Sequence, residues 1–70
     1  MKIITLRQGE EYIKLGQALK AAGLVLSGAE AKEVIIEGQV KVNNEEELRR
    51  GRKLYKEDIV KYREHEIKIV

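Results

Sequence analysis

Cysteine and proline are both absent from this 70-residue chain, tryptophan and phenylalanine are missing too, and three tyrosines are its only aromatic residues. Without cysteine there is neither a disulfide frame nor a thiolate metal site, and a reducing, cytoplasmic setting is the natural one. The single histidine, His65, has Glu64 and Glu66 beside it, but on a strand these would point to the opposite face, so no metal-ligand set forms around it. Few aromatics weigh against reading single strands by base stacking. No apolar run reaches membrane length, and no cleavable leader or lipidation motif is visible, so the chain reads as soluble and unprocessed. Its glycines form neither a phosphate-loop nor a dinucleotide fingerprint, and Ser27 has no base partner. The expectation is a protein with no catalytic residue, metal or cofactor.

Seventy residues allow one small domain, 1–70, with a core worth only about 3–5 kcal/mol of net stability. The formal net charge of +2 says little by itself, whereas its distribution says more. Glu45, Glu46 and Glu47 form an acidic run, followed at once by Arg49, Arg50, Arg52, Lys53 and Lys56. Exposed charges more than about 10 Å apart are screened at ordinary salt, so a local basic stripe can hold a polyanion on a nearly neutral chain. Gly51 lets the backbone turn there so that arginines on both sides could follow adjacent phosphates. The three glutamates read as a solvated hairpin end.

Periodicity places the elements. "KIITL" at Lys2 to Leu6 reads as a strand. Leu15, Ala18, Leu19 and Ala22 share one helical face while Gln17 and Lys20 face out, and Gly23 ends that helix. "SGAE" fits a capping box, with Ser27 accepting from the Glu30 amide and the Glu30 carboxylate accepting from the Ser27 amide. The helix it opens has Ala31, Val34 and Ile35 on its apolar side with Ile36 alongside and ends at Gly38, with Lys32 turned away from Glu30, Glu33 and Glu37. Val40 and Val42 alternate with polar residues as a half-buried strand, Asn43-Asn44 suits a tight turn, and a return strand is expected through about Leu48. Further strands fall near Asp58 to Tyr62 and over the closing "EIKIV". The fold class is α+β, two short packed helices with a small, mainly antiparallel sheet. Tyr12, Tyr55 and Tyr62 are assigned to core or rim packing.

The segment "KLGQALKAAGLVLSGAEAKEVIIEGQVKVNNEEELRRGRKLYKEDIV", Lys14 to Val60, resembles the RNA-binding domain named after small-subunit ribosomal protein S-four, also called the alpha-L motif. The short first helix, the capped "SGAEAK", the "EGQVKVNN" passage and "KLYKEDIV" carry the likeness. The "SG-EAK" and "RRGRKL" segments are similar to the small bacterial proteins that consist of this domain alone. Gly28 stands where many members have an arginine, as it does in that branch, and Asn44 replaces the commoner turn glycine.

The resemblance implies a basic face for structured RNA, ribosomal or transfer RNA-like, formed by the helix pair and adjoining hairpin. Carried over by position, the RNA-binding residues would be Lys14, Ser27, Gly28, Lys32, Lys41, Asn43, Arg49, Arg50, Arg52 and Lys53. The expected protein is a non-catalytic, monomeric, cytoplasmic RNA binder acting on ribosomal RNA or ribosome assembly intermediates, with no membrane partner. Removing Arg49, Arg50, Arg52 and Lys53 together is expected to leave the fold intact. The rival is an adaptor that docks an acidic protein partner, kept in view by Glu45 to Glu47. DNA binding through the helix pair is disfavoured by Glu30, Glu33 and Glu37 on the exposed helix face.

Overall fold

The computed structural model describes all 70 residues. The first apolar stripe winds as expected into helix α1, Leu15–Ala21, and the second into α2, Gly28–Ile36. Strands β1 (Lys2–Ile4) and β2 (Ile13–Lys14) precede the helices; β3 (Val40–Val42), β4 (Glu45–Glu46), β5 (Lys53–Leu54), β6 (Ile59–Tyr62) and β7 (His65–Ile69) follow. Five strands form one sheet in the order β1-β7-β6-β3-β4, and β2 pairs with β5 in a separate two-stranded ribbon. Only β1 with β7 is parallel; every other pairing is antiparallel. No helix is long and apolar enough to cross a membrane.

Alternation decides which face of the sheet is covered. Val40, Val42, Val60, Tyr62, Ile67 and Ile69 all point to one side, where Leu15, Ala18 and Leu19 of α1 and Ala31, Val34 and Ile35 of α2 close over them. Fully burying a side chain of this size contributes about 1.5–3 kcal/mol, which is why two helices too short to persist alone are held in place. The outer face carries a cross-strand row of Glu66, Lys61, Lys41 and Glu46, set by the registers of β7, β6, β3 and β4.

The turn chemistry matches its signals. Gly23 and Gly38 follow the two helices at φ of 75° and 76°. Asn43 and Asn44 have φ of 51° and 70°, the two positive values a two-residue hairpin between β3 and β4 requires. Asn43 is tied down twice, its amide nitrogen donating to Asp58 Oδ1 at 3.0 Å and its oxygen accepting from the Ile59 amide at 2.9 Å. Asn44 makes no such bond. Asn44→Gly should therefore raise the unfolding free energy by about 0.5 kcal/mol, read from a urea midpoint, because glycine takes positive φ without strain.

Four expectations need correction. The Glu30 amide does donate to Ser27 Oγ at 3.1 Å, but the Glu30 carboxylate accepts from the Leu26 amide rather than that of Ser27. The return strand ends at Glu46, short of Leu48, because the chain turns inward at Glu47. Glu47 is buried at 6% exposure, so the acidic run is not wholly a solvated end. Strands β2 and β5 were not expected: two residues are too few to show a period.

Candidate nucleic-acid interface

Helix α1 starts by bonding to the arginine loop. The Leu15 amide donates to the Arg52 carbonyl at 2.8 Å and the Gly16 amide to the Arg50 carbonyl at 3.1 Å, so two of the unpaired donors at the helix start are met by loop 50–52. The Lys14 amide donates to Gln17 Oε1 at 3.3 Å. Such close docking depends on Gly16, because a Cβ there would stand 2.8 Å from Arg50 Cγ. Ala would suit a helix better by about 1 kcal/mol, so the loop contact is what glycine serves here.

Glu47 anchors the same loop from below. Arg49 Nε donates to Glu47 Oε2 at 3.0 Å, Arg49 Nη2 to Oε1 at 3.1 Å, and the Arg49 amide to Oε2 at 3.1 Å. Arg52 Nη1 adds a bond to Oε1 at 2.9 Å. The Arg49 hydrogen bond, with help from Arg52 and against the opposing effect of burial, holds the Glu47 carboxyl down from 4.5 to about 2. The same bond raises the Arg49 guanidinium above its ordinary value. Two of the four expected basic contacts are thus partly committed inside the fold. Removing the cluster would strand Glu47, so it is expected to cost folding stability as well as binding.

Arg50 is different. It forms no ion pair, and with Lys14 and Lys20 it rims a hollow of about 340 Å³ floored by Gly16, Gln17, Gly28 and Gly51. None of the three cations has an acidic partner. Gly28 opens α2, and the amides of Gly28 and Ala29 donate to no group in the chain, leaving the positive end of that helix toward the hollow. Gly28 and Gly51 have open space where a side chain would stand, so the backbone there is accessible from the hollow.

The ribbon extends this surface. β2 and β5 pair with Ile13 opposite Leu54 and Lys14 opposite Lys53. Leu54 is buried and Ile13 packs against the core, so Lys14 and Lys53 share the outward face. Two like charges directly opposite each other destabilise a ribbon, unless an anion sits between them. A second shallow depression, lined by Arg49, Gly51, Arg52 and Lys53, continues past Gly51.

Lys14, Gly28, Arg50 and Lys53 are thereby brought onto one surface, with Arg49 and Arg52 at its margin. Ser27 sits next to it and caps α2. Lys32 is exposed one turn along from Gly28 on the same helical face. Lys41 is not part of this grouping: it lies on the outer face of the sheet, between Lys61 and Glu46. Asn43 spends both ends of its amide within the fold. Lys20 belongs to the hollow and was noted in the sequence only as facing outward. Glu47 was missed as well, although the hairpin register held a signal: with Asn43-Asn44 as the turn, Glu47 falls opposite Val40 on the core face.

Comparison with known proteins identifies the fold and the family. A protein of Bacillus subtilis (strain 168) named probable ribosome maturation protein RlbA is 52% identical over 50 residues, which span 71% of this chain and 70% of that protein. The solution structure of YbcJ from E. coli, described as revealing an alfaL motif involved in RNA-binding, is similar at a TM-score of 0.73 and 34% identity. That likeness covers 100% of this chain and 87% of that one, so the helix pair and mixed sheet are the alpha-L fold. The S4 domain matches residues 4–70, and this chain belongs to the S4 domain family.

Proposed function

We propose that this protein binds structured RNA, ribosomal RNA or an assembly intermediate of the ribosome, in the cytoplasm and without a chemical step of its own. The observation that carries this is the convergence of Lys14, Lys20 and Arg50, none of them paired with an acid, around a glycine-floored hollow at the start of α2. Such a site suits phosphate oxygens: the guanidinium offers a fork, the lysines offer point charge, and the helix start offers free amides. Recognition is then by backbone and shape, the usual mode for folded RNA. The names of the similar proteins, one for ribosome maturation and one for RNA binding, support the same reading.

Lys14, Lys20 and Arg50 replaced together by alanine should weaken binding to a folded ribosomal RNA fragment by at least about a hundredfold. The slope of log K against log salt should also fall by about 2–3 units, nearly one for each lost phosphate contact. Lys41 and Lys61 replaced together on the outer sheet face should change neither quantity. Fluorescence anisotropy at several salt concentrations measures both. Equal losses from the two variants would mean that binding follows total charge and not this site. The adaptor alternative is separated by copurification after nuclease treatment: a protein partner retained without RNA would favour it.

A further inference from the structure

Continuing the β2–β5 register by one step sets Tyr12 opposite Tyr55, on the same outward face as the Lys14–Lys53 pair. The side chains agree with that placement. The two rings lie 6.1 Å apart between centroids at an interplanar angle of 56°, and Lys53 Nζ sits 4.8 Å from the centroid of the Tyr12 ring. Tyr55 is 48% exposed and Tyr12 is half-buried, whereas Tyr62 is in the core. The ribbon thus presents a four-residue tile, two opposed lysines at one end and two contacting tyrosines at the other. Along each strand the two ends are about 6.7 Å apart, the scale of one nucleotide.

Folding explains only part of the tile: Lys53 rests against the Tyr12 ring, but the opposed lysines repel each other and the exposed Tyr55 buries little apolar area for the fold. Against a nucleotide both make sense, since the lysines meet phosphate while a ring stacks on a base. Lys14 is also in the rim of the hollow, so the tile continues the phosphate-binding surface without a break.

We propose that the Tyr12–Tyr55 pair is a stacking site for one unpaired base of the bound RNA, whose flanking phosphate is held between Lys14 and Lys53. The inference rests on the RNA-binding reading above and adds to it a preference for RNA with a bulged or looped-out nucleotide. Scarce aromatics weigh against stacking in the sequence, and this site would need only the two tyrosines that the ribbon places together.

Two hairpin RNAs of equal length provide the test, one fully paired and one carrying a single bulged 2-aminopurine. The full chain should bind the bulged RNA about tenfold more tightly and quench its fluorescence, since stacking on one aromatic side chain is worth about that much. Tyr55→Ala should abolish both the preference and the quenching while leaving affinity for the paired hairpin unchanged. Tyr55→Phe should retain both. If Tyr55→Ala weakens the two RNAs equally, or Tyr55→Phe fails as alanine does, stacking at this pair is wrong. Equal, unquenched binding of both RNAs by the unaltered chain would overturn the stacking site and leave the phosphate reading standing. Binding of neither would overturn that reading, and the stacking site with it.

Discussion

Acidifying the protein from about pH 5 to about pH 2.5 should remove on the order of 1–3 kcal/mol of folding stability through Glu47 alone. The carboxyl is held at about 2 in the fold, against an ordinary 4.5 once the chain unfolds and its arginine partners leave. A depressed folded value means that the unfolded chain takes up the proton first as pH falls. The stabilisation is therefore complete above about 4.5 and is lost progressively down to about 2. In a domain whose net stability is about 3–5 kcal/mol, that loss is a large share. Urea unfolding followed by circular dichroism at a series of pH values measures it. Glu47→Gln should lower stability at neutral pH and flatten the acid limb of the profile. An acid limb that survives unchanged in Glu47→Gln would assign the pH dependence to other carboxylates.

Part of this was legible from the residues and part was not, for identifiable reasons. Helices α1 and α2 announce themselves because their apolar positions repeat over two or more turns and a glycine with positive φ ends each. The β3–β4 hairpin is equally plain, since two adjacent asparagines between alternating runs leave few other conformations. The β2–β5 ribbon is invisible in sequence: each strand has two residues, and their partners are some forty positions away. That one omission hid the meeting of Lys14 with Lys53 and of Tyr12 with Tyr55.

The basic stripe shows the opposite limit. Composition treats Arg49, Arg50 and Arg52 as equivalent, and the fold separates them by which carbonyls and carboxylates lie within reach. Arg50 lends its carbonyl to Gly16 and its side chain to the hollow, while Arg49 and Arg52 turn back to Glu47. Similarly, three consecutive glutamates look alike until the strand register sends one to the core face.

Replacing Arg49 and Arg52 together with alanine should therefore cost more than any single change in the arginine loop, about 3 kcal/mol at neutral pH. The reason is asymmetric exposure. Removing Glu47 leaves two guanidiniums of which one, Arg49, is 75% exposed and can be solvated; removing both arginines leaves a carboxylate side chain that is 8% exposed with no cation beside it. Its carboxyl should then rise above the ordinary value, and the pH profile should change sign, with stability falling as pH increases beyond about 4.5. Adding Glu47→Gln to the double variant should recover most of the loss, because a neutral amide does not carry that desolvation cost. Arg50→Ala should leave stability within about 0.5 kcal/mol yet weaken RNA binding, because it keeps the carbonyl that accepts from Gly16 and its side chain forms no ion pair. Thermal unfolding of the four proteins across pH separates anchor from grip. A double variant no less stable than Arg50→Ala would show that Glu47 contributes little, leaving the backbone bonds to α1, which both variants keep, to hold the loop.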